Sequence, residues 1–220
     1  MQLTFNQIII PPGHTVLLTD INWSAFEEIL AELGEHRAAR LSYSQGWLEI
    51  MVPLVQHESD KKIIGNLVEI LLEEFNLEFW ALGSTTFKNK PMVQAVEPDE
   101  CFYIQHEAAV RAKKRLDLTI DPPPDLAIEI DITSRTQFDN YEQLGVLELW
   151  RYDGERLEIK VLQNGRYVTS TTSSYFPQLP LLEVIPNWVK QSQERGRNAT
   201  MKAFREWVRN QLNLIRGAKP

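Results

Sequence analysis

Apolar residues recur along this chain in two rhythms, one helical and one alternating. Trp23, Phe26, Ile29, Leu30 and Leu33 follow Thr19-Asp20 at helical spacing and stop at Gly34, which predicts a capped amphipathic helix. Segments 38–43 and 47–52 flank Ser44-Gln45-Gly46 and predict a hairpin. The longest helical pattern runs over 57–75, where Ile63, Ile64, Leu67, Ile70 and Leu71 form a stripe and Glu69, Glu73 and Glu74 stay polar. Strands are expected over 78–82, 85–88, 100–104 and 126–132. Ser134 then suits the cap of a short helix carrying Phe138, Tyr141 and Leu144, stopped by Gly145, with a strand over 147–152. Asp153-Gly154 and Asn164-Gly165 mark the turns of a meander through 157–162 and 166–171. A last helix carries Met201, Phe204, Trp207, Val208, Leu212 and Ile215.

A long helix, several strands, a helix and another strand predict an α/β fold: a mixed sheet flanked by helices. The simplest organisation is one domain over 1–220. It would hold an N-terminal helix and hairpin (20–53), a core (54–153), a β-meander (154–186) and a basic amphipathic C-terminal helix (187–220).

Composition changes this picture little. Hydrophobic residues make up 43% and charged residues 24% of the 220 positions, values ordinary for a chain with a full core. The single cysteine, Cys101, excludes a disulfide framework and suits a reducing, cytoplasmic setting. No signal-like start and no apolar run of about 18 residues is present, so no membrane association is expected. Charge is uneven. Positions 190–220 carry eight Lys/Arg against two Asp/Glu, or +6, within a net charge of -7. A basic helix beside an acidic body suits polyanion contact and equally suits a solvated surface.

The chemistry concentrates in 125–132. Alternation sends Leu126, Ile128, Ile130 and Ile132 to one face and Asp125, Ala127, Glu129 and Asp131 to the other. Acids two apart on one partly buried face need a cation or strong donors, and hard oxygen ligands suit Mg²⁺ or Mn²⁺. An exposed edge strand would show the same alternation. On the strand at 100–104, Phe102 and Ile104 share one face, and Asp99, Cys101 and Tyr103 the other. If the two strands are neighbours, Asp99 and Glu129 can converge on one cation.

The order Pro98-Asp99, then Glu129 within Ile128-Glu129-Ile130, then a helix and a strand, resembles the PD-(D/E)XK nuclease superfamily. Further matching pieces are Leu48 to Pro53, His57-Glu58, Leu82 to Lys88, Glu97 to Ile104, Asp125 to Thr133 and Leu144 to Tyr152. Together they resemble the "putative restriction endonuclease" family over about 23–185. The resemblance implies a restriction endonuclease-like fold and a metal-dependent hydrolase that cuts DNA phosphodiester bonds. Asp99 and Glu129 would be the metal ligands and Glu58 an accessory acid. The sequence departs from the pattern where the superfamily carries lysine two positions after the glutamate, because Asp131 stands there. Lys88 is the candidate replacement, with Arg135 weaker because guanidinium stays protonated. The departure also raises an alternative, a catalytically degenerate protein that binds nucleic acid or a protein partner.

Other signals carry less. Position 61 is lysine, so His57-Glu58 does not open an H-E-x-x-H zinc helix, and His14, His36, His57 and His106 lack ligand spacing. Asp125 also follows a proline but lies only four positions before Glu129. Positions 111–115 could contact a phosphate backbone or simply face water. The C-terminal stripe suggests docking on the body or on a second copy, which would give a homodimer and, as a further alternative, a structural module that dimerises through this helix.

Overall fold

The computed structural model describes residues 8–34, 38–83, 85–131 and 140–217. In chain order these form β1 (Thr15–Leu18), α1 (Trp23–Leu33), β2 (Arg40–Ser44), β3 (Trp47–Met51), α2 (Val55–Glu74), β4 (Trp80–Leu82), β5 (Phe87–Asn89), β6 (Gln94–Val96) and β7 (Glu100–Tyr103). There follow α3 (Glu107–Val110), β8 (Leu126–Ile130), α4 (Asn140–Leu144), β9 (Glu148–Tyr152), β10 (Leu157–Gln163), β11 (Arg166–Ser170), α5 (Leu181–Arg195) and α6 (Arg197–Gly217). The expected cap at Ser134, and Phe138 with it, lie outside the described residues.

The architecture is α/β, with a six-stranded sheet in the order β11-β10-β9-β8-β7-β4. It is mixed because β8 and β9 run parallel while its other pairs are antiparallel. The expected hairpin forms as β2 and β3, turning through Gln45 (φ 45°) and Gly46 (φ 93°), both in the left-handed region that tight hairpin turns require. It does not stand alone, however. β1 pairs with β3, β6 pairs with β2 and β5 pairs with β6, giving a second, five-stranded sheet. The expected cap of the first helix also moves. Asn22, rather than Thr19-Asp20, accepts the Ala25 amide at 2.9 Å.

β8 is buried along its whole length, and its two faces serve two cores. Leu126, Ile128 and Ile130 pack with the α2 stripe and with α5 and α6, whereas Ala127 joins Cys101, Tyr103 and Tyr141. α2 lies close enough to β7 that a Cβ on Gly65 would meet the Glu100 side chain at 3.3 Å. The C-terminal stripe docks on the body. Met201, Phe204 and Val208 are buried in the core they share with α2, and Arg205 and Arg209 reach Glu73 and Glu74. That docking removes the observation on which a dimer through this helix rested. The expected single C-terminal helix over 187–220 is two helices, α5 and α6, meeting at Gly196 (φ 87°). Among the described residues no helix is long and apolar enough to cross a membrane.

Candidate active site

β7 and β8 are antiparallel neighbours in which Glu100 pairs with Ile128. One step further along the same register, Asp99 stands opposite Glu129. The Asp99 amide donates to the Ile128 carbonyl at 3.2 Å, and the Ile130 amide donates to Asp99 Oδ2 at 2.8 Å. Directly opposed residues in such a pair project to the same face. Both acids are nearly inaccessible, Asp99 at 1% and Glu129 at 7% exposure.

Each is held differently. Asp99 Oδ1 meets Arg40 Nη1 at 2.9 Å, and Oδ2 meets His57 Nε2 at 3.2 Å. Arg40 comes from β2 in the other sheet, so this ion pair spans the two sheets. The Tyr141 hydroxyl, from α4, donates to Glu129. Burial and the nearby Asp99 carboxyl push Glu129 up to about 8, against the opposing pull of the Tyr141 hydrogen bond. Burial alone would lower His57, but its contacts with Asp99 and Glu58 outweigh that and raise it to about 9.

Glu58 belongs to the same group. One of its oxygens meets Arg40 Nη2 at 3.0 Å and His57 Nδ1 at 3.5 Å, and the other lies 3.6 Å from Lys61 Nζ. His57 above all, with help from Lys61 and Arg40, holds Glu58 down at about 2 despite partial burial. Asp131 is adjacent but differently engaged, since Arg151 grips it through Nε at 2.7 Å and Nη2 at 3.0 Å. A further acid, Glu49 of β3, is 6% exposed, and burial together with Asp131 raises it to about 7.

Lys88 is not brought to this group. Its ammonium is held by both oxygens of Glu27 at 3.0 and 3.2 Å, over a neighbouring cavity. The lysine that does lie here is Lys61, only 5% exposed, on the wall of a cavity of about 720 Å³ that Arg40, Glu58, Thr86 and Glu97 also line. Burial and Arg40 lower its pKa against the pull of Glu58 and Asp99. Asp125 is structural. It is fully buried and accepts from the amides of Ile104 and His106. Arg135 lies outside the described residues. Arg40, His57, Lys61 and Glu49 did not emerge as candidates from the sequence pattern.

The strands carrying Asp99 and Glu129 are thus neighbours in a mixed sheet, and α4 and the parallel strand β9 follow them in the chain. A model of the Uma2 family, described as "Putative restriction endonuclease", matches residues 23–195. The chain belongs to the Uma2 family. No curated protein matches it. Its fold is similar to that of a crystal structure titled a "putative nuclease belonging to DUF820" from Anabaena variabilis ATCC 29413. That likeness has a TM-score of 0.52 and 13% identity, and covers 74% of this chain and 97% of the other. Every residue grouped around Asp99 lies inside the segment that the Uma2 model matches.

Among the described residues, no three His, Cys, Asp or Glu side chains are grouped as a complete metal cage. Two opposed carboxyls do fit a hard cation of the Mg²⁺ kind, which keeps waters and is held by one or two carboxylates plus substrate phosphate oxygens. In Glu129 one carboxyl oxygen accepts from Tyr141, and burial beside Asp99 holds the group above the usual carboxylate range, a penalty that a bound cation would relieve.

Proposed function

We propose that this Uma2 protein is a metal-dependent endonuclease that hydrolyses DNA phosphodiester bonds. The observation that carries the reading is the cross-strand opposition of Asp99 and Glu129, two buried acids on one face, with Asp99 joined through Arg40 to a cavity that Lys61 and Glu58 also line. Asp99 and Glu129 would hold Mg²⁺ or Mn²⁺. When bound, the ion supplies charge to the phosphate and lowers the pKa of a water.

The chain's own residues do the rest. Arg40 and His57 orient Asp99, and Tyr141 orients Glu129. Glu58 ties Arg40, His57 and Lys61 into one group. Lys61 takes the role that Asp131 cannot, presenting positive charge to a phosphate in the cavity or positioning the attacking water. Asp131 holds Arg151 and does not act directly. A DNA substrate would be met in a reducing cytoplasm, which also suits the free, buried Cys101.

The test is Mg²⁺-dependent cleavage of plasmid DNA by wild type, Asp99→Asn and Glu129→Gln, each checked for an unchanged circular dichroism spectrum. Loss of cleavage in both folded variants supports the reading, and equal cleavage by all three removes it. One observation favours a degenerate, non-cutting protein instead: Asp99 already has two cationic partners, Arg40 and His57, which compete with a metal. Binding of the plasmid without cleavage at any Mg²⁺ or Mn²⁺ concentration would select that reading.

A further inference from the structure

A second cavity, of about 940 Å³, lies beside the first, and Thr86 lines both. Its walls come from three separate segments: α1 with Trp23, the β5 region with Lys88 and Lys90, and the loop after α3 with Arg115. The cations differ in availability. Lys88 is engaged by Glu27, whereas Lys90 and Arg115 are exposed and form no ion pair among the described residues. Asp117, the other acid on this wall, turns its carboxylate to the amide and hydroxyl of Thr119. Lys114 stands next to Arg115 on a smaller cavity that Thr85 also lines.

Many other basic side chains are paired: Arg205 and Arg209 with Glu73 and Glu74, Lys62 with Glu100, Arg111 with Glu107, Arg151 with Asp131 and Arg166 with Glu142. Lys90 and Arg115 thus share a cavity wall with Trp23, and Thr86 joins that cavity to the one lined by Arg40, Glu58 and Lys61. Trp23 is held by rings behind it, with Phe26 at 5.3 Å and Tyr43 at 5.6 Å, so its indole has a fixed position on the cavity wall. A positively charged groove with a fixed aromatic is the construction that binds single nucleic-acid strands.

We propose that this second cavity is the track for one nucleic-acid strand leaving the candidate site past Thr86, with Lys90 and Arg115 on its phosphates and Trp23 against a base. The inference rests on the nuclease reading for what happens at Asp99, and it deepens that reading by giving the substrate a path.

The test is fluorescence anisotropy of a fluorescein-labelled single-stranded DNA oligonucleotide, with Ca²⁺ in place of Mg²⁺, over a salt series. Lys90→Gln and Arg115→Gln should each weaken binding about 3- to 10-fold and lower the slope of log Kd against log salt by about 0.7. Lys202→Gln, on exposed α6, should change neither. No binding by wild type, unchanged binding in both groove variants, or an equal loss in Lys202→Gln overturns the track. Plasmid cleavage by Asp99→Asn separates the two ideas. Cutting that persists in that variant while the groove variants lose DNA would sink the catalytic assignment alone, and Asp99-dependent cutting with unaffected groove variants would sink the track alone.

Discussion

Arg151 closes on both oxygens of Asp131, at 2.7 and 3.0 Å, in the position where a PD-(D/E)XK nuclease carries its lysine. Both side chains are about nine-tenths buried. The pair therefore keeps the acid at 131 charge-compensated inside the sheet. Removing one partner of a buried pair leaves the other unsatisfied, at a cost of about 3 kcal/mol or more. Arg151→Met should lower the stability of the fold by about that amount in urea denaturation. A midpoint equal to wild type would mean that the pair does not hold the strand.

Stability should fall as pH rises from 6 to 9. Glu129 is raised to about 8, Glu49 to about 7 and His57 to about 9, so between the unfolded and folded pKa values the native state keeps protons that the unfolded chain has lost. Stability falls wherever the native state binds more protons than the unfolded one. For the two acids the decline begins above the unfolded carboxyl value near 4.5 and ends at about 8 and 7, and for His57 it runs from about 6.5 to 9. Glu129→Gln removes one of these groups, so its denaturation midpoint should vary less between pH 6 and pH 8 than that of wild type. Parallel curves for the two proteins would contradict the raised value.

Lys61 and Lys88 should separate kinetically. Lys61→Met removes the buried cation beside Glu58 and should lower the rate at saturating DNA about 100-fold or more, the effect of removing a preorganised charge from a reacting phosphate. Lys88→Met should leave that rate within about twofold and act, if at all, on KM. Equal turnover losses in the two variants, measured by gel quantitation of nicked plasmid, would show that Lys88 acts in catalysis as Lys61 does.

Phe204 is fully buried between α5 and α6, in edge contact with Trp188 at 5.4 Å and stacked with Trp207 at 5.7 Å. Phe204→Ala should cost about 3 kcal/mol or more by cavity formation. Deleting the chain from Arg197 onward should expose the α2 face and lower solubility rather than change the oligomeric state. A truncated protein with wild-type stability by thermal denaturation would show that α6 is dispensable to the core.

Much of this fold was legible where local pattern and tertiary environment agree. The alternation over 126–131 reads correctly because β8 is buried on both faces, with the acids on the face opposite the isoleucines. β2 and β3 read correctly because the turn residues demand left-handed backbone. β1 and β6 did not, because Thr15–Leu18 and Gln94–Val96 are short and draw their order from pairing with β3 and β2. α5 was hidden by Pro186, whose missing amide interrupts the helix ladder while Leu181, Ile185 and Val189 hold it in the core. Asp99 and Glu129 stood out because each is an acid beside an apolar strand. Arg40, His57 and Lys61 sit on different elements and meet only through the packing of two sheets and α2. One signal was present for Lys61: it and His57 continue the phase of Ile64 and Val68, so both lie on the buried stripe rather than on the solvent face.

The most direct measurement is calorimetric titration of Mn²⁺ into wild type, Asp99→Asn and Glu129→Gln at pH 7, in two buffers of different ionisation enthalpy. Wild type should bind with release of a proton, since burial and the Asp99 carboxyl hold Glu129 above the usual carboxylate range, and each variant should lose the site while remaining folded. Identical Mn²⁺ heats for all three proteins, or no heat from wild type, would contradict a cation centre at these two strands.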